Sequence, residues 1–146
     1  MISRWALLSI KSDVGDLVRQ YKTIDPFILI GRLGIGYLET PFDMDTLGVT
    51  VTSDNHSTIT LNQNILTFQK PFIAAHELGH VIEHKGESTT FFREQCFGCN
   101  IPRIEAEANR FAFNLLLFEL NDNEVEYNKY DIVRQLEFPD SMASYI

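Results

Sequence analysis

The stretch AAHELGHVIEHK, Ala74 to Lys85, sets three histidines and two glutamates within nine residues, His76 to His84. Its core, His76-Glu77-Leu78-Gly79-His80, is an HExxH sequence. Residues four apart on a helix lie one above the other, roughly 6 Å along the axis, so two imidazoles can converge on one Zn²⁺. Glu77 points about 100° round from His76, near enough to reach a water at the metal without being a ligand. Nitrogen ligands beside a carboxylate base are what metal-assisted hydrolysis needs. The competing reading is a helix whose histidines are merely solvated. Phe72, Ile73, Leu78, Val81 and Ile82 argue against it, because they predict a broad apolar stripe and hence burial. Buried His and Glu side chains need partners.

A catalytic zinc usually has three protein ligands and a water, so one ligand must come from elsewhere. His84 lies about 12 Å along the axis from His76, too far to share its metal. It also misses the HExxHxxGxxH spacing, and is expected to interact with the helix C-terminus. His56, in a turn, is expected to be exposed. A carboxylate on another segment remains, and IEAEANRFA offers Glu105 and Glu107. On a helix these are about 200° apart, so only one can face the site. Glu105 shares its face with Ala108, Asn109 and Ala112, whereas Glu107 falls nearer Arg103 and Arg110, a solvated salt-bridge face. Helical geometry therefore favours Glu105, with Asn109 placed to orient one imidazole from behind. Small residues at Ala108, Ala112 and Gly79 would let the two helices approach closely.

The elements that must position these residues are legible in outline. Trp5 to Ile10 reads as a short half-buried helix or strand, and Ser12 to Tyr21 as an amphipathic helix. Asp25 can cap a second helix, with Pro26 in its first turn and Gly34 at its end. After IGYLET, the runs Gly48–Ser53 and Ser57–Gln63 flank the turn-forming DNHS and predict a hairpin. The HELGH helix follows Pro71, then a loop from Gly86 to Pro102. A long helix, Arg103 to Leu120, and a shorter one in YDIVRQLEF complete the chain. Helices, a small sheet, then helices again predict an α+β fold, and 146 residues predict one domain, 1–146.

Composition narrows the partners. A net charge of −8 disfavours direct binding to nucleic acid and suits a basic protein partner. The apolar run near the start is too short for a signal core or membrane span, and two cysteines make no disulfide framework, so a cytoplasmic protein is expected. Cys96 and Cys99 form a lone CxxC, read as incidental because a structural zinc site needs a second pair.

AAHELGHVIEH, the Phe-rich loop and IEAEANRFAFNLLL closely resemble the ImmA/IrrE family of zinc metallopeptidases from phages and mobile elements. The upstream YKTIDPFILIGRLGIGYLET and TITLNQNI are similar too, so the resemblance runs from about Leu17 to Leu117. It implies a small zincin-like fold, a short sheet packed against helices. It also implies His76, His80 and Glu105 as zinc ligands and Glu77 as the catalytic glutamate. Members of the family commonly cleave helix-turn-helix repressors encoded by the same element, which releases the element's genes. Some carry a helix-turn-helix or sensor domain, for which this chain has no room. The family often follows its leucine run with Met-Pro or Pro; NLLLFELND lacks both, so that helix is expected to end differently.

Zinc-dependent endopeptidase is thus the expected function. Thr58, Thr60 and Asn62, alternating with Ile59 and Leu61, are expected on an edge strand that binds extended substrate. Tyr127 and Tyr130 are alternatives for the oxyanion partner. The rival function is a regulatory module that inactivates a repressor, or a toxin partner, by binding without cutting.

Overall fold

The computed structural model describes residues 2–93, 97 and 101–146. The elements run α1 (Arg4–Tyr21), α2 (Pro26–Arg32), β1 (Gly36–Thr40), β2 (Thr46–Ser53), β3 (His56–Asn62), α3 (Lys70–Glu83), β4 (Thr89–Phe92), α4 (Arg103–Leu116), α5 (Phe118–Asp122) and α6 (Lys129–Gln135). Single 3-10 segments precede α3 and close the chain. The architecture is α+β, a four-stranded mixed sheet packed against helices, and is consistent with a small zincin-like domain.

Local chemistry accounts for the boundaries. Asp25 Oδ1 accepts from the backbone N–H groups of Phe27 and Ile28, with Pro26 in the first turn, as expected of a capped start. Gly34 has φ +71° and stops the chain from continuing as helix. The hairpin of β2 and β3 turns on Asp54 and Asn55, at φ +50° and +62°, a two-residue turn whose residue types tolerate the left-handed region. His56 is exposed, as expected, although it opens β3 rather than lying in the turn.

The first segment differs from expectation. Arg4 to Tyr21 is one helix capped by Ser3, with no break before Ser12. Ile10, Val14 and Leu17 form its buried stripe, and Trp5 and Leu8 fall on the opposite side, 83% and 51% exposed. The apolar start is thus half-buried, as expected, with Ile10 covered, Ala6 and Leu7 partly covered and Trp5 and Leu8 in solvent; only the break before Ser12 is missing. The long C-terminal helix is also divided, α4 ending at Leu116 and α5 beginning at Phe118. Leu115 and Leu117 would lie about 200° apart on a straight helix, and the bend between them lets both be buried.

In the sheet the order is β1-β3-β2-β4. β3 pairs in parallel with β1 and antiparallel with β2, so the strand expected at the edge is internal. Its backbone groups are engaged on both sides, and it has no free edge to offer a substrate. Thr58 and Thr60 face away from the helices, opposite Val51 and Val49. Asn62 is buried, its amide donating to the carbonyls of Asp43 and Thr46. The outer strand beyond β2 is β4, formed within the stretch read as loop. Its Phe91 and the β2–β3 residues Gly48, Thr50, Ile59 and Leu61 turn towards α3. With α4 packed on its other side, α3 is buried from Phe72 to His80 without a gap. No described helix is long and apolar enough to cross a membrane.

α1 meets α3 through carboxyl groups. Burial pushes Glu83 up to about 8, and the hydrogen bond and charge of Asp13 push in the same direction. A carboxyl raised in the folded state contributes stability in full below its ordinary value, and loses it as pH rises through the folded one. Unfolding free energy should therefore fall between about pH 4.5 and 8, less steeply in Glu83→Gln. Denaturant unfolding of the metal-free protein across that range checks this. Equal slopes for wild type and variant would show that the Asp13–Glu83 contact is not carrying a proton.

Candidate metal centre

α3 sets His76 and His80 one turn apart, and their Nε2 atoms are 3.1 Å from each other. Glu105, in the first turn of α4, reaches across: its Oε2 is 3.0 Å from His76 Nε2 and 3.3 Å from His80 Nε2. Zinc bonds of roughly 2.0–2.1 Å at tetrahedral angles separate the ligand atoms by about 3.3 Å. The three atoms are thus spaced as one face of such a polyhedron. Among the described residues these three form the one group of metal-ligating side chains whose donor atoms come this close together.

Both rings are held on their far side. His76 Nδ1 lies 2.8 Å from Asn109 Oδ1, the relation that helical geometry anticipated. His80 Nδ1 lies 2.9 Å from Nδ1 of His84. Phe91 stacks on His76 with centroids 3.8 Å apart and planes 15° from parallel. From it an aromatic wall continues through Phe97, Phe138 and Phe72 to Phe113.

Glu77 is turned towards the sheet. The Thr50 hydroxyl donates to its Oε2. Its Oε1 is buried and has no hydrogen-bond partner among the described residues. Gly48 lies beneath it, where a Cβ would sit 3.1 Å from that oxygen. Burial raises Glu77 to about 7, against the opposing effects of His80 and the Thr50 hydrogen bond. A carboxyl poised near neutrality can take and return a proton at physiological pH. Glu105 goes the other way. Burial opposes its ionisation, but its close contacts with the His76 and His80 rings outweigh that and hold it well below the ordinary carboxyl range. Two converging ring nitrogens and an ionised carboxylate are a donor set that a divalent cation fits.

His84 departs from expectation. It does end α3, but it is buried, and burial with the neighbouring His80 lowers its pKa, so it is not a surface cation facing the helix C-terminus. Glu107 is likewise mostly covered, its Oε1 3.7 Å from His84 Nε2 and 3.6 Å from Arg103 Nε, rather than on a solvated face. The HExxHxxxH spacing carried the signal: His84 is far from His76 but only one turn from His80. Thr50, Gly48 and Phe91 had no sequence signal, since only the sheet register brings them to α3. Tyr127 donates to Asn121 over 2.7 Å, and half-exposed Tyr130 lies beside Arg134; these contacts give neither a place at the histidines. Cys96 and Cys99 lie outside the described residues.

A buried His-His-Glu cluster on two packed helices, with a glutamate beside it, is a metallohydrolase arrangement on a zincin-like fold. Residues 30–134 match the peptidase M78 family, described as the IrrE N-terminal-like domain, and the chain belongs to that metallopeptidase family. The chain is also 31% identical over 108 residues to "uncharacterized immunity region protein 2" of Bacillus phage phi105, across 74% of this chain and 68% of that protein.

Thr50 should control the proton on Glu77. Its hydrogen bond favours the carboxylate, so Thr50→Val should raise the Glu77 midpoint further, by about one pH unit. Carbon-detected NMR titration of the Glu77 carboxyl in metal-free protein reads this directly. A midpoint that stays put would mean the hydroxyl is bonded elsewhere.

Proposed function

We propose that this protein is a cytosolic zinc-dependent endopeptidase of phage or mobile-element type that cleaves a helix-turn-helix repressor. The observation that carries this reading is the convergence of His76 Nε2, His80 Nε2 and Glu105 at tetrahedral ligand spacing, next to a glutamate with a buried free oxygen. In this reading His76, His80 and Glu105 hold the metal. When bound, zinc supplies Lewis-acid polarisation of the scissile carbonyl and acidifies water at the site. Glu77 takes the proton of the attacking water on its free Oε1 and returns it to the leaving amine. The Thr50 hydrogen bond keeps the other oxygen still, so the carboxylate is oriented throughout. Asn109 fixes the His76 ring in the tautomer whose Nε2 lone pair points inward.

Charge and kinship support this partner. A repressor that binds DNA carries a basic surface, which a chain of net charge −8 attracts. The relative in Bacillus phage phi105 bears an immunity-region name, in accord with a target that governs phage or element genes. β4 is the outer strand beside His76, and an extended peptide segment can add to it by backbone pairing.

The test combines metal content with cleavage of the repressor encoded beside this chain. Wild type should bind one zinc and yield two repressor fragments by mass spectrometry. Glu77→Gln should keep its zinc and lose about 10²–10⁴-fold in rate. Glu105→Gln should lose more zinc affinity than the roughly 10- to 100-fold that follows loss of an outer partner. A stable complex without fragments, in zinc-loaded wild type, would indicate inactivation by binding instead.

A further inference from the structure

The contact between His80 and His84 has a direction that the chemistry of imidazole decides. Two Nδ1 atoms 2.9 Å apart must be one donor and one acceptor. A neutral imidazole carries one proton, so whichever nitrogen holds it, the other keeps the lone pair. If His80 accepted at Nδ1, its proton would sit on Nε2. There it would point at His76 Nε2 and Glu105, 3.1 and 3.3 Å away, in the space where a metal must sit. If His80 donates from Nδ1, its Nε2 lone pair is free for the metal. His84 must then accept at Nδ1 and carry its own proton on Nε2. That nitrogen is buried, has no hydrogen-bond partner among the described residues, and lies 3.7 Å from the Glu107 carboxylate.

We propose that His84, backed by Glu107, is a positioning residue that holds His80 in its metal-binding tautomer and ring orientation. The proposal rests on the metal-centre reading above. The line runs from the Glu107 carboxylate through His84 Nε2–H and Nδ1 to His80 Nδ1–H and Nε2. It gives His80 what Asn109 gives His76, an acceptor for the outer ring proton, but through a second imidazole. Covalent spacing makes the arrangement self-aligning, because His84 follows His80 by one helical turn and the two rings meet at 5.0 Å between centroids. The plainer account is that His84 merely fills space at the end of α3. An apolar ring would fill that space equally well, and this separates the two accounts.

The experiment compares His84→Phe, which keeps a ring but has no acceptor, with His84→Asn, whose amide oxygen can replace the Nδ1 lone pair. Zinc affinity is read by competition with a chromophoric chelator, on proteins whose fold is checked by circular dichroism. His84→Phe should bind zinc about 10- to 100-fold more weakly than wild type, and His84→Asn should recover most of the loss. Nitrogen NMR of the histidine rings in zinc-loaded wild type should show His80 protonated at Nδ1 and His84 at Nε2. The proposal is overturned by wild-type affinity in His84→Phe, by no recovery in His84→Asn, or by a His84 proton on Nδ1. Should both variants fail to fold, the wild-type ring spectrum alone decides. Wild type that takes up no zinc sinks the metal-centre reading and this proposal together; full zinc binding indifferent to residue 84 sinks only this one.

Discussion

Nine consecutive residues of α3, Phe72 to His80, are buried, and three of them are ionisable. A helix covered on every side must find a polar partner wherever such a side chain emerges, because an unpaired buried charge or donor costs several kcal/mol. The rest of the fold follows this demand. The sheet meets Glu77 with the Thr50 hydroxyl, α4 meets His76 with Asn109 and Glu105, and the end of α3 itself meets His80 with His84. A cluster assembled in this way is part of the core. It is positioned by the same packing that holds the domain together, its principal groups standing on helices and strands.

Close approach of α3 and α4 sets the distances. Gly79 faces α4, and a Cβ there would lie 3.0 Å from Phe111. Glycine costs about 1 kcal/mol in a helix interior relative to alanine, and here the missing methyl makes room for an aromatic ring. Ala108 and Ala112, fully buried, keep the facing side of α4 equally low. A carboxylate on a side chain as short as that of Glu105 can then touch both imidazoles from the opposite helix. Gly48 does the corresponding service for the sheet, where β2 runs directly beneath Glu77 at a break in its register with β4.

Much of this was legible because helical spacing is a local property. HExxH, the preference for Glu105 over Glu107, the place of Asn109 and the Asp25 cap all follow from 3.6 residues per turn or from one side chain reaching its neighbours. The hairpin was legible for the same reason, since its turn residues adjoin its strands. What escaped depends on pairings distant in sequence. That β3 is internal is decided by β1, which pairs with it between residues twenty-two apart in sequence, and β4 exists only because β2 offers it an edge. Thr50 looks like any strand threonine until α3 is laid over it. His84 was a different kind of miss: measured against His76 it is out of range, whereas measured against His80 it is the next rung of the same ladder.

The position of Trp5 has a practical side. It is the chain's single tryptophan, and it is 83% exposed, on the side of α1 opposite its buried stripe. Indole emission reports the water around it, and this indole is wet in both the folded and the unfolded chain. The rings around the histidines are phenylalanines, Phe72, Phe91, Phe97, Phe113 and Phe138, which are nearly dark by comparison. Unfolding of the core around His76 and His80 would therefore pass almost unseen in tryptophan emission, and the helices, visible by circular dichroism, are the better witness to whether this protein is folded.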